Sequence, residues 1–395
     1  MTKPELFILC NAVADEVRLE RGITTDSPAA TRKVSMMAEV LRTVGVRTIL
    51  LSLGRGRQDG SGRYFRPRIG RQRGVATVYG GMLHRPILSE LLSCWAPLPI
   101  LWRRRHKGQG SLLLLYNRMP AYVPAIWLAR LLGYRIALDL EDGETVLKGW
   151  SMRAIKARML IALTDSACNA GALLACEALS LATRLQPQEA YYGVSSKPGS
   201  TRLFDKREIH LLLGGTIAPS TGADMLAAAI EHLRHHSSSK ARPLHLHVTG
   251  TGESLAQFTR LSTDNSHGPT VTVHGRLDNT GYTGLLAKMD VGLALKPNSG
   301  PLAHTTFPSK VVEMANEGLL VLTTDISDVR TVLGAGALYL ERDDPVLLAE
   351  KLRWIANNPA EAAAIARGGM INVIDQCSPA RAGAKLRRFL FPEIV

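Results

Sequence analysis

No apolar run in these 395 residues approaches the roughly 18 residues a bilayer-spanning helix needs. Residues 1–11 hold one short apolar stretch without a small-residue cleavage site, so they read as a first strand rather than a signal peptide. Cysteine is scarce: Cys10, Cys94, Cys168, Cys176 and Cys377 are odd in number, scattered and without a CxxC. That excludes a disulfide frame and a cysteine zinc site, and fits a reducing cytoplasm. No His/Asp/Glu group has metal-ligand spacing along the chain. His245 and His247 alternate on a strand and His235-His236 end a helix, so no bound metal is expected. The lone Gly250-x-Gly252 lacks the third glycine and the acidic residue of a dinucleotide fingerprint.

What is abundant is positive charge, and it is one-sided. The net charge is +14. Residues 1–203 carry 29 Lys and Arg against 15 acids, whereas residues 204–395 carry 19 of each. Residues 55–107 alone hold 12 basic side chains against Asp59 and Glu90. Such a field attracts polyanions: anionic headgroups, pyrophosphate or nucleic acid. Few aromatics interleave with the basic residues and no nucleic-acid motif is present, so nucleic acid is set aside. The apolar stretch 86–102, with Trp95 and Trp102, runs into Arg103, Arg104, Arg105, His106 and Lys107. Tryptophan and leucine beside a basic cluster suit an anionic membrane surface, and Pro97 and Pro99 prevent a crossing.

The composition, 46 % apolar and 21 % charged, is that of a globular protein, and the length suits two domains. Apolar runs and amphipathic segments alternate, predicting an α/β fold of parallel sheets covered by helices on both faces. Strands are expected at 5–11, 46–53, 111–116 and 134–140, then 210–213, 244–249, 271–273, 291–295 and 319–323. Helices are expected at 29–44, 122–132, 152–163, 223–233, 254–261, 282–288, 310–316, 346–357, 360–373 and 380–389. The basic Gly/Arg stretch 54–74 breaks the pattern, and 11–26 reads as a loop. The charge step falls in a Gly/Ser/Lys/Pro linker at 193–199, predicting domains of 1–198 and 199–375, with a helix at about 376–395 packing back on the first.

The segment Thr306-Phe307-Pro308-Ser309-Lys310-Val311-Val312-Glu313 starts a short helix that Gly318 ends. Free N–H groups and a mobile Lys310 charge suit a pyrophosphate, and Glu313 one turn on can accept two hydrogen bonds from a ribose diol. This stretch resembles the donor site of the group 1 family of retaining GT-B glycosyltransferases, in a Pro-Ser-Lys-x-x-Glu variant. The resemblance extends over roughly 208–375. Gly214-Gly215-Thr216 with Thr221-Gly222 is similar to its first phosphate loop, Gly250-Thr251-Gly252 to its second, and Val273-His274-Gly275-Arg276 to its base-side loop.

The resemblance implies a GT-B fold, two doubly wound Rossmann-like domains facing a central cleft. It implies donor-binding roles for Gly214, Gly215, Thr216, Gly250, Gly252, Arg276, Thr305, Ser309, Lys310 and Glu313. The family usually carries a glutamate where this chain has Thr305, and an Arg and a Lys where it has Thr216 and Thr221. The first half is expected to bind the acceptor, with Asn117, Arg118 and Arg103–Arg105 on that side. The acidic run Asp139-Leu140-Glu141-Asp142-Gly143-Glu144 follows a strand. Its carboxylates repel one another, which would raise a pKa and make Asp139, Glu141 or Asp142 the catalytic candidates.

The expected activity is metal-independent, retaining transfer of a hexose from a nucleotide-diphosphate sugar to a saccharide or lipid-linked saccharide acceptor. Surface polysaccharide synthesis on the cytoplasmic face of the membrane would use such a peripheral enzyme. No cofactor is expected beyond the nucleotide sugar as substrate. The alternatives are a nucleotide-sugar epimerase of the same fold and a non-catalytic sugar-nucleotide-binding protein.

Overall fold

Strand and helix alternate as the apolar periodicity requires. The computed structural model describes residues 3–57, 63–83, 85–105, 111–142, 151–195, 197–236, 242–264, 268–299 and 303–394. The order begins β1 (Glu5–Cys10), α1 (Asp15–Glu20), α2 (Pro28–Thr43), β2 (Arg47–Ser52), β3 (Arg68–Gln72), β4 (Val75–Tyr79), α3 (Pro86–Trp95), α4 (Pro97–Arg104), β5 (Ser111–Tyr116), α5 (Val123–Leu131), β6 (Arg135–Leu140), α6 (Met152–Ala167), β7 (Ala172–Leu174) and β8 (Gln188–Ala190). It continues β9 (Ile209–Thr216), α7 (Ala223–His235), β10 (Leu244–Thr251), α8 (Leu255–Thr263), β11 (Thr270–Gly275), α9 (Asn279–Leu286), β12 (Val291–Ala294), α10 (Lys310–Asn316), β13 (Leu320–Thr324), α11 (Val329–Leu333), β14 (Leu338–Leu340), α12 (Pro345–Asn357), α13 (Pro359–Cys377) and α14 (Pro379–Leu390).

Two units result: Met1–Val194 with Pro379–Val395, and Ser195–Ser378. The chain leaves the second unit after α13, whose helix runs unbroken through Cys377, and Ser195 N donates to Cys377 O at 2.7 Å. All five cysteines are buried as thiols.

The first unit's sheet runs β3-β4-β2-β1-β5-β6-β7-β8, parallel except for the β3–β4 pair. The order in which the chain adds strands reverses between β1 and β5, the switch point at which doubly wound sheets open a crevice. β1 is buried along its length, as an apolar run covered on both faces must be. The basic stretch 54–74, read as a break in the pattern, contains β3 and a hairpin. Gln72 pairs with Val75 around Arg73 and Gly74, both at positive φ, a two-residue turn whose twist suits the strands. Arginine at the first turn position hides the signal that Asn-Gly would have given. α1 likewise lies inside the stretch read as a loop, and β7 and β8 were not expected. α14 packs on α2, with Leu386, Phe389 and Leu390 in one core with Val40 and Leu41.

Arg21 is fully buried and donates to three loop carbonyls, Gly54 at 2.6 Å, Gly80 at 2.8 Å and Arg66 at 3.3 Å. One planar guanidinium thereby fixes the connections beyond β2 and β4 and the approach to β3.

The second unit's sheet is wholly parallel, β11-β10-β9-β12-β13-β14, and reverses between β9 and β12. Leu211, Leu213, Leu246 and Val248 point to one face and pack with Ile230, Phe258, Leu352 and Ile355. Each such buried side chain contributes about 1.5–3 kcal/mol.

Candidate functional site

Both connections that flank the β9/β12 switch point end in the residues singled out from the sequence. α10 follows β12, and Val311, Val312 and Met314 bury its inner face, which holds its first turn still. Ser309 has helical φ and ψ and makes no side-chain cap, so it begins the helix through its backbone. Lys310 is not the mobile charge expected. Its Nζ donates to the carbonyl of Gly214 at the end of β9. Gly215 has φ +107, which favours glycine, and a Cβ there would come within 2.3 Å of that ammonium and displace the lysine from the loop. A Cβ at Gly250 would meet the Gly215 carbonyl at 1.8 Å. The two glycine loops therefore touch backbone to backbone beneath Lys310.

Glu313 sits half-buried three residues along α10. Thr216 is exposed, and its carbonyl accepts from Thr221 Oγ1 at 2.8 Å, so Thr221 closes the loop on itself. Gly252 lies at the exposed mouth of α8, and Arg276 is exposed beyond β11. Thr305, where the resembled family has a glutamate, buries its hydroxyl oxygen without a hydrogen-bond partner among the described residues. The donor residues expected in the second unit thus lie at the carboxyl ends of β9, β10 and β11 and around α10. A cation, backbone N–H groups and a carboxylate within one turn form a surface that suits a diphosphate and a diol.

The first unit gathers a different set at the carboxyl ends of β5 and β6, and here the expectation needs correction. Asp139 is buried, its side chain 1 % exposed, and cannot meet a substrate directly. Its pKa is raised well above the carboxylate range, by burial before any repulsion from Glu141, while Lys33 opposes the shift. Carboxylate crowding is not the main cause. Lys33 of α2, which the sequence reading passed over, pairs with Glu141 and lies 3.7 Å from Asp139. Burial disfavours its charge, yet the two carboxylates outweigh it and hold the Lys33 pKa up. Tyr116 donates to Glu141 at 3.2 Å, and the Tyr191 ring lies 5.1 Å from the ammonium. The signal was present: Lys33 stands four residues before buried Met37, on the apolar stripe of α2.

Asn117, at φ +61, stitches the strand ends: its Oδ1 accepts from Glu141 N at 3.0 Å and its N donates to Asp139 O at 2.8 Å. Asp142 is exposed, while Gly143 and Glu144 lie outside the described residues. Arg118, expected to face an acceptor, is instead buried in a two-pronged pair with Asp165 at 2.9 and 3.0 Å, which ties β5 to α6. The three arginines after α3 do not act as one cluster. Arg104 reaches Glu5 at 3.4 Å, Arg105 covers the Trp102 ring at 4.3 Å, and Arg103 is exposed. His106 and Lys107 lie outside the described residues.

The histidines lack metal-ligand spacing along the chain, but the fold brings three of them together. His210, His245 and His247 each bring a ring nitrogen within 4.8 Å of the others. β9 supplies the first and β10 the other two, so linear spacing could not reveal the group.

Residues 208–358 match the family of glycosyl transferases, group 1. The second unit carries a glycosyltransferase domain. Solved structures agree on the fold across the whole chain. An α,α-trehalose-phosphate synthase (UDP-forming) from Burkholderia xenovorans, solved with glucose-6-phosphate, superposes with a TM-score of 0.68 at 13 % identity, covering 98 % of this chain and 99 % of that one. HepE of Anabaena, solved with UDP and glucose, gives 0.67 at 13 % identity with coverage of 98 % and 99 %. A sucrose-phosphate synthase from Thermosynechococcus elongatus gives 0.63 at 13 % identity with 99 % of each chain. No curated protein matches in sequence. The fold is GT-B, and the chain is a glycosyltransferase.

Proposed function

We propose that this glycosyltransferase takes a hexosyl unit from a UDP-sugar and passes it, with retention, to a saccharide acceptor carried on a lipid. The observation that carries the donor half is Lys310 lying across Gly214 and Gly215, with Glu313 one turn further along α10. UDP is favoured among nucleotides because HepE and trehalose-phosphate synthase, of the same fold, are described with UDP or as UDP-forming. In the reaction the bond from the anomeric carbon to the diphosphate oxygen breaks, the acceptor hydroxyl oxygen forms the new bond, and its proton passes to the leaving diphosphate. Lys310 stabilises charge on the leaving diphosphate. UDP or UDP-glucose at a hundred times its Kd should stabilise the chain by about 2.7 kcal/mol. For a unit of this size that is a rise of roughly 5–10 °C. No shift with any of UDP-, GDP-, ADP- or dTDP-sugars would remove the assignment.

The lipid half rests on α3. This helix turns Ile87, Leu88, Leu91 and Trp95 outward, Ile87 at 77 % and Trp95 at 65 % exposure, while Ser89 and Ser93 are buried. An amphipathic helix inverted in this way presents its apolar face to something other than its own core. Trp102, exposed, and Arg103 follow on α4, a pairing suited to an anionic headgroup layer. Among the described residues no helix is long and apolar enough to cross a membrane. Anionic vesicles should co-sediment the protein, binding should fall as salt rises, and Ile87→Ser/Trp95→Ser should abolish it. Equal recovery with the double variant would show that α3 is not the contact.

A further inference from the structure

On the sheet face opposite the apolar core of the second unit, four imidazoles stand where packing needs none. His210 on β9 pairs in register with His245 on β10, and His247 lies two residues along the same strand. His274 follows on β11. The intervening residues Leu211, Leu246 and Val248 fill the core on the other face. The rings are close enough to communicate: His210 Nδ1 and His247 Nε2 are 3.1 Å apart, and His247 Nδ1 and His274 Nε2 are 3.0 Å apart. His245 and His247 stack at 4.1 Å between centroids.

We infer that His210, His245 and His247 form a binding site for a divalent transition-metal ion of the Zn²⁺ or Ni²⁺ type. One ring nitrogen from each lies within 4.8 Å of those of the other two. In a tetrahedral zinc site, bonds of about 2.0–2.1 Å put neighbouring ligand nitrogens about 3.3 Å apart. The 3.1 Å between His210 and His247 is already near that spacing. Side-chain torsions can draw in His245 without moving the strands, because all three Cα atoms are fixed by the parallel ladder. An all-imidazole set selects Zn²⁺, Ni²⁺ or Cu²⁺ over Mg²⁺ or Ca²⁺, which prefer oxygen.

The surroundings fit a metal site. Glu208 brings Oε2 to 4.0 Å from His210 Nε2, the ring nitrogen not used toward His247, as the carboxylate that orients that ring, and it lies 3.6 Å from His245 Nδ1. His274 takes the outer nitrogen of His247, and Thr272 Oγ1 meets His245 Nε2 at 2.8 Å. His210 and His245 keep about a quarter of their side chains exposed, which leaves an entry path. β9 and β10 continue to Gly214 and Gly250, so an ion here clamps the two strands that carry the glycine loops.

A competitor lies on α7, where His232 and His236 stack one turn apart with centroids at 4.3 Å. The test separates them. Full-length protein is stripped with chelator, dialysed and titrated calorimetrically with ZnCl₂ alone. One equivalent should bind to the wild type and to His232→Gln/His236→Gln. His247→Gln and His245→Gln should each weaken it at least tenfold while keeping the wild-type circular dichroism. Zinc-edge X-ray absorption of the loaded wild type should show three imidazoles, a reading independent of how the variants fold. Undiminished binding in His247→Gln, loss on changing His232 and His236, or two imidazoles or fewer around the zinc would overturn the site.

Discussion

Lys33→Met should destabilise the first unit by about 3–5 kcal/mol, because it strips the partner from buried carboxylates rather than removing a surface pair. Asp139 has no hydrogen-bond partner among the described residues for either carboxylate oxygen, and Lys33 is the cation facing both it and Glu141. Methionine keeps the length and apolar stem, so the loss measures charge rather than volume. On a unit of this size, melting should fall by roughly 6–20 °C. The pH dependence follows from the sign of the Asp139 shift. Its folded pKa is raised above the unfolded value, so the folded state binds the extra proton and this group's contribution to stability is fully present at low pH and declines as pH rises. Without Lys33 nothing opposes that shift, and the variant should regain stability as pH is lowered from 7 towards 5. Lys33→Met/Asp139→Asn should recover much of the loss. A single variant that melts with the wild type across this range would mean that the three groups are not a coupled buried unit.

Glu313→Ala should weaken UDP by about 10- to 150-fold, the equivalent of the 1.5–3 kcal/mol carried by hydrogen bonds to a charged group. The neighbours Val311, Val312 and Met314 are buried, so α10 keeps its place when the carboxylate is removed. The loss should appear equally with uridine and with UDP, since Glu313 is assigned to the ribose. Lys310→Ala should behave differently, weakening UDP far more than uridine, because it removes charge from beside the phosphates and frees the Gly214 carbonyl. Calorimetry with both ligands on both variants gives a two-by-two comparison. Wild-type affinity in folded Glu313→Ala, or the same ratio for both variants, would contradict the division of labour.

The chain's alternation of apolar runs and amphipathic segments determined the class of fold, because strands covered on both faces must be continuously apolar and helices must show a stripe. Strand 111–116 and helix 310–316 could be read to the residue. The order of the glycine loops and the Pro-Ser-Lys-x-x-Glu segment also stood in the sequence, since a backbone that closely approaches another backbone or passes under a lysine at positive φ requires glycine at fixed positions. Gly215 and Gly250 are such positions.

What only the tertiary structure decided are the relations between segments far apart in the chain. Lys33 belongs to the acidic run at 139–141 because its side chain reaches from α2 to the carboxyl end of β6, a separation of more than a hundred residues. Arg118 is withdrawn from the acceptor side because Asp165 of α6 lies within 3 Å of it. Strand order, which has no signature in one sequence, placed His210 opposite His245 and made neighbours of rings that linear spacing keeps apart. Burial, too, is a property of the assembled unit: it, rather than carboxylate crowding, is the main cause of the raised Asp139 pKa, and it withdraws Ser89 and Ser93 of α3 while the apolar residues of that helix stay exposed.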